Sequence, residues 1–147
     1  MESLLDIYGA RVPFQQAVQF LYQLLRERPS EATISHGAMP TFEQHRAFVT
    51  RQPYRKWFII ATGDGEWVGA LNLTDRNEIG IAILKTHQRR GYAIAALQCL
   101  QVTVEPLQAE PGVRRGRFVA NVALANNASH ALFLKAGGEG IQITYEL

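Results

Sequence analysis

Cysteine is all but missing from this chain of 147 residues, in which Cys99 stands alone. A single thiol excludes an intramolecular disulfide and a cysteine-rich zinc site, and it fits a reducing, cytoplasmic setting. Long apolar runs are missing too. Nowhere do about 18 apolar residues follow one another, as a bilayer-spanning helix needs, and the first residues lack the basic-then-apolar order of a secretion signal. No membrane partner is expected. Charge of one sign is scarce: fifteen Lys and Arg against thirteen Asp and Glu leave a net +2, too little for a nucleic-acid footprint. The one dense basic cluster, Arg114, Arg115 and Arg117 around Gly116, reads as a solvated turn. Neither the Gly-x-Gly-x-x-Gly of dinucleotide folds nor the Gly-x-x-x-x-Gly-Lys-Ser/Thr phosphate loop occurs. None of the four histidines stands at metal-ligand spacing from another ligand, so no metal is expected.

What is present is the composition of a globular protein, 47% hydrophobic and 19% charged, and residues 1–147 make one domain of ordinary size. Leu4, Leu5, Ile7 and Tyr8 suggest a short first strand. Pro13 suits a first helical turn, and Phe14, Ala17, Val18, Leu21, Leu24 and Leu25 recur at helical spacing until Pro29 stops them. Residues 30–40 have no period and read as a loop. Thr41, with Gln44 three residues on, is a capping-box pattern opening a second helix that ends before Pro53. Two aromatic and β-branched runs, 57–61 and 67–73, flank Thr62-Gly63-Asp64-Gly65 and read as a hairpin. Residues 79–84 form the next strand, with Ile79, Ile81 and Ile83 on one face and only Gly80 and Ala82 on the other. Something packs closely over such a sparse face. A helix over 91–104, apolar nearly all round, reads as central and buried. Residues 118–122 read as a strand, Asn126 and Asn127 as caps of a last helix that Gly137 ends, and 141–147 as a terminal strand with alternating Ile141, Ile143, Tyr145 and Leu147. The order predicts an α/β (α+β) fold: a mixed, mostly antiparallel central sheet of six to seven strands, with helices on both faces.

The junction of the strand at 79–84 with the following helix organises the rest. An apolar strand breaks into the basic loop Gln88-Arg89-Arg90-Gly91 and opens an alanine-rich helix, where backbone N–H groups converge and attract anions. Gly91 lets a ligand approach the backbone, and Arg89 and Arg90 add positive charge. A phosphate or pyrophosphate fits there. The plainer reading is a left-handed turn that caps an ordinary helix.

The spacing Gln88-x-x-Gly91-x-Ala93 resembles the acyl-CoA pyrophosphate loop of the GNAT superfamily of N-acyltransferases. Asn126-x-x-Ser129-x-x-Leu132-Phe133-x-Lys135-x-Gly137 resembles a second motif of that superfamily, in the right order and on the right kind of element. Residues 40–49 and 57–60 look like its branch of ribosomal-protein and amino-sugar acetyltransferases. The resemblance implies a V-shaped opening between the strands at 79–84 and 118–122. Acetyl-CoA would serve there as acyl donor: pantetheine bonded to main-chain groups of Ile81 and Ile83, pyrophosphate at Gln88, Arg89, Arg90, Gly91, Tyr92, Ala93 and Ile94, and Asn126 and Phe133 along the arm. Phe133 stands where many relatives carry the tyrosine that protonates the departing thiolate, and Gly138 where they carry Phe. The resemblance also leaves a strand edge that a second copy could cover as a homodimer.

Acetyl transfer from a thioester to an amine needs the amine neutral, the carbonyl polarised and the thiolate released. Glu78 heads the cofactor strand and is the first choice of base, against a solvated strand-end glutamate. Tyr145 and Tyr92 are the candidate replacements for the missing acid. His36, in the loop expected to close over the acceptor, is the candidate substrate-binding residue. His45 reads as a structural hydrogen-bonding residue, and His87 and His130 as exposed. The resulting expectation is an acetyl-CoA-dependent N-acetyltransferase for the primary amine of a small molecule, an amino sugar or nucleotide-linked amino sugar. Its alternatives are a protein N-terminal or lysine acetyltransferase, and a non-catalytic acyl-CoA-binding module.

Overall fold

The hairpin expected around Thr62 is the middle of the sheet. In the computed structural model, which describes residues 3–28 and 38–147, β1 spans Ser3–Asp6, β2 Lys56–Ala61, β3 Trp67–Leu73 and β4 Ile79–Ile83. The strand order is β1-β2-β3-β4, every pair antiparallel. Gly65 turns the hairpin at φ 85°, where a Cβ would be strained, and the Thr62 N–H closes it onto the Glu66 carbonyl at 2.9 Å. From Trp57 to Ala61 every β2 residue is buried. A strand reads as one apolar run, rather than alternating, when both its faces are covered.

The covers are two helix pairs. Helix α1 spans Phe14–Glu27, α2 Phe42–Thr50, α3 Tyr92–Thr103 and α4 Asn127–Lys135. Pro13 is the N-cap of α1, whose buried stripe is Ala17, Val18, Leu21 and Leu24. The capping box of α2 forms in full between Thr41 and Gln44, leaving two fewer helix-end groups unsatisfied. One apolar cluster joins α1 and α2 to Trp57, Ile59 and Ala70. A second joins Ala96, Leu97 and Leu100 of α3 to Phe58, Ile60, Leu71 and Leu73, with Leu132 and Phe133 of α4 packed on it. The sheet is thus sandwiched. His45 is 5% exposed, with its Nε2 3.0 Å from the Val18 carbonyl. Burial lowers its pKa, and the bond to Val18 opposes this in part. It is the structural residue that its helix position suggests.

Three expectations need correction. Among the described residues the sheet has four strands rather than six or seven. Residues 118–122 meet β4 through one parallel bridge, Glu78 with Val119, and residues 141–147 join no strand, with Ile143 60% and Tyr145 81% exposed. Alternation marks a chain that suits a pleated surface, but a strand also needs a partner edge. Helix α3 is buried on one side only: Ala96, Leu97 and Leu100 are covered, whereas Val102 is 84% exposed. His87 and His130 are half-buried, not exposed, because each ring is used. Nδ1 of His87 lies 2.8 Å from Thr86 Oγ1 and its Nε2 3.3 Å from Glu66 Oε2. The His130 Nε2 lies 3.1 Å from the Ala123 carbonyl.

Candidate active site

The parallel bridge fixes the geometry of the opening. Ile79 N–H donates to the Val119 carbonyl at 2.7 Å, and Val119 N–H donates to the Asn77 carbonyl at 2.9 Å. Past these two bonds the chains part. Because the groups of one residue face one side of a strand and those of the next face the other, Ile81 and Ile83 share the side of Ile79. The Thr74 N–H bonds the Glu78 carbonyl and the Leu84 N–H the Val68 carbonyl, so the intervening even-numbered residues satisfy β3. Among the described residues, the main-chain groups of Ile81 and the Ile83 N–H therefore have no partner and line an open edge. Ile81 and Ile83 are half-buried, and backbone groups shut off from water need a partner. The Ile83 carbonyl has one, the Gln88 side-chain amide at 3.0 Å, so Gln88 braces the loop from inside.

Asn77 holds the apex. It is fully buried in a left-handed conformation at φ 61°, which Asn adopts more readily than most residues. Its Nδ2 donates to the carbonyls of Leu107 and Arg115 at 2.9 and 2.8 Å, and its Oδ1 accepts from the Leu107 N–H at 2.8 Å. These bonds clamp the 105–117 loop under the bridge. Arg114 helps, with Nε on the Gln108 carbonyl at 2.8 Å, so the basic cluster is partly a structural tie. Asn77 lies in the short turn between β3 and β4. Its burial depends on a loop thirty residues away, which no local pattern shows.

At the other end of β4 the loop turns through Arg89 at φ 62° and Gly91 at φ 86°. Gly91 is the N-cap of α3 and offers no side-chain cap, while Thr41 and Asn126 cap α2 and α4. The N–H groups of Tyr92, Ala93 and Ile94 have no partner inside the helix. Nothing lies within 4 Å of a Cβ built on Gly91. The side chains of Arg89 and Arg90 are exposed beside it. An uncapped N-terminus with two guanidinium groups and open space is suited to an anion.

Glu78 stands at the apex, half-buried. Its Oε1 accepts from Thr74 Oγ1 at 3.0 Å and its Oε2 from Asn121 Nδ2 at 2.7 Å. The carboxylate is oriented, and each oxygen keeps a lone pair for a proton or a cation. Asn126 uses Oδ1 to accept from the Ser129 N–H at 3.1 Å, which leaves its amide N–H₂ as donor. Phe133 packs on the α3 cluster. Gly137 and Gly138 close α4: their N–H groups reach the Leu134 and Phe133 carbonyls at 3.1 and 2.9 Å, a Schellman end. A Cβ on Gly138 would stand 2.9 Å from the Phe133 carbonyl oxygen, so glycine there is steric. Tyr92 begins α3 with its ring 6.1 Å from that of His87. Tyr145 is 81% exposed, on a segment that forms no strand. His36 lies outside the described residues.

The acetyltransferase (GNAT) domain family matches residues 15–139. No curated protein matches. Among solved structures, the chain is similar to spermidine N-acetyltransferase from Vibrio cholerae in complex with CoA and spermine. The TM-score is 0.67 at 14% identity, over 92% of this chain and 79% of that one. It is also similar to an acetyltransferase from Thermus thermophilus, with a TM-score of 0.63 at 20% identity, over 93% of this chain and 86% of that one. At such identities the likeness is one of fold.

Proposed function

Because this chain belongs to the GNAT acetyltransferase family, we propose that its site moves the acetyl group of acetyl-CoA to the primary amine of a small molecule, with an amino sugar or nucleotide-linked amino sugar as acceptor. The enzyme is an acetyl-CoA-dependent N-acetyltransferase; the acceptor class and the residue roles are the proposal. The observation that carries it is the continuity of the unpaired Ile81–Ile83 edge with the uncapped start of α3 at Gly91. An extended arm fits the first and a pyrophosphate the second.

In this reading pantetheine bonds Ile81 and the Ile83 N–H, the diphosphate takes the N–H groups of Tyr92, Ala93 and Ile94, and Arg89 and Arg90 neutralise it. Asn126 donates to the arm and Phe133 walls it. Glu78 accepts a proton from the ammonium of the acceptor, directly or through water. The amine lone pair then attacks the thioester carbon, the C–S bond breaks, and the amide nitrogen gives its second proton to water, from which the thiolate takes one up. Coenzyme A leaves as thiolate. A thiol of pKa about 8.5 takes up a proton readily near neutral pH, so the enzyme works with Phe133 in place of a tyrosine, and Tyr92, at the start of α3, is the hydroxyl to test. A lone cysteine suits a cytoplasmic enzyme, and no helix of the described residues is long and apolar enough to cross a membrane. Exposed Ile141 and Ile143 favour a homodimer, which sedimentation would check.

A polyamine is the second reading, favoured by the spermine in the Vibrio cholerae complex. Thiol release from acetyl-CoA with glucosamine, spermidine and a peptide amine decides between them. The proposal expects glucosamine to win; spermidine turning over much faster would reverse it.

A further inference from the structure

The face of the sheet under α1 and α2 is closed at its centre and open at β4. Cross-strand partners line up as Ile59, Ala70 and Ala82, and as Trp57, Asn72 and Gly80. Trp57, Ile59 and Ala70 are buried in the α1/α2 cluster, whereas Gly80 is half-buried and Ala82 exposed. The helices therefore cover this face as far as β3 and leave β4 bare. Asn72 stands at the border, half-buried.

Two facts set Asn72 apart. Its carboxamide lies across the neighbouring strand: a Cβ on Gly80 would come within 2.8 Å of its Oδ1 and 2.9 Å of its Nδ2. Glycine at 80 makes room for it. Yet, although Asn72 is half-buried, neither polar atom has a hydrogen-bond partner among the described residues; the exposed Asn127 is alike in this, while the carboxamides of Asn77, Asn121 and Asn126 each hold at least one. Glu78 stands two residues before Gly80 in the same alternation, about 7 Å along the strand. The carboxylate and the idle carboxamide thus share one open face at the apex of the V.

We propose that Asn72 is a specificity residue that reads the acceptor, in a step that rests on the acetyltransferase reading above. A carboxamide offers donors and an acceptor but no charge. It recognises a neutral group that both donates and accepts, a hydroxyl beside the amine, while Glu78 takes the amine itself. The substrate class is then hydroxyl-bearing primary amines rather than bare alkylamines. An unmet partner in a built site costs more than a missing methylene does, which is how such a site discriminates.

The test uses the full chain and two amines of matched ring size, glucosamine and cyclohexylamine, with thiol release as readout. Asn72→Leu keeps the volume and removes the polar atoms; because they have no internal partner, its Tm should stay near that of the wild type. It should raise KM for glucosamine about tenfold, the worth of one net hydrogen bond, and leave KM for cyclohexylamine and acetyl-CoA unchanged. Gly80→Ala should reproduce this by displacing the carboxamide without deleting it. Equal changes for both amines, or glucosamine KM within twofold of wild type in Asn72→Leu, would overturn the assignment while the enzyme reading stands. Should the wild type favour spermidine over glucosamine, the hydroxyl-reading role is likewise overturned. If no amine raises thiol release above water, the acetyltransferase reading itself fails.

Discussion

Asn77 does at the scale of one residue what the sheet cannot do alone, which is to start a V. It ties the loop after α3 to the turn before β4, so that the Glu78–Val119 bridge forms and the chains then separate. Asn77→Ala should cost about 2 to 4 kcal/mol in urea unfolding, three net hydrogen bonds at buried sites; a cost under about 0.5 kcal/mol would mean that water replaces them. Glu78 should show itself in rate rather than stability: Glu78→Gln keeps the Asn121 contact in part but should lower kcat/KM about 100-fold if the carboxylate takes the proton. Phe133→Tyr should change kcat by less than about tenfold, because the thiolate needs no strong acid. A hundredfold gain would instead mark the position as a disabled acid.

At the scale of elements, much was legible because the signals are local. The Thr41–Gln44 box, the glycine turn of the hairpin, the helical stripe of α1 and the Gly137 stop need only a few neighbouring residues each. Residues 118–122 and 141–147 have the composition of strands and are not strands, since pairing depends on a remote edge. Asn72 escaped notice for the same reason: its meaning lies in facing Gly80 across β3 and β4, and the only trace in the sequence was the sparse face of β4. The same motif residue can also serve its element and its site at once. Asn126→Ala should cost about 1 kcal/mol as a lost N-cap. A rise in KM for acetyl-CoA beyond that in a fully folded sample would report its second amide contact, and unchanged KM would leave it a cap.

Across the whole molecule, two helix pairs clasp one sheet, and His45 fastens α2 to α1 in the pair that covers Trp57, Ile59 and Ala70. Its folded pKa is lowered, chiefly by burial, so protonation favours the unfolded chain. Stability from this group is complete above the ordinary histidine value of about 6.5 and falls as pH drops below it. Thermal melts between pH 7.5 and 5 should show a decline that His45→Gln flattens. An equal decline in both would assign it to other groups. Among the described residues, a path runs from the start of α3 along the open edge of β4 to Glu78. The most direct test of that path is calorimetric titration of acetyl-CoA into the wild type, Gly91→Asn and Gly91→Glu. Asn tolerates the left-handed backbone at this position, so Gly91→Asn should bind within a few fold of wild type, whereas the added carboxylate of Gly91→Glu should weaken binding by at least about tenfold. Undiminished binding by a folded Gly91→Glu would contradict the account.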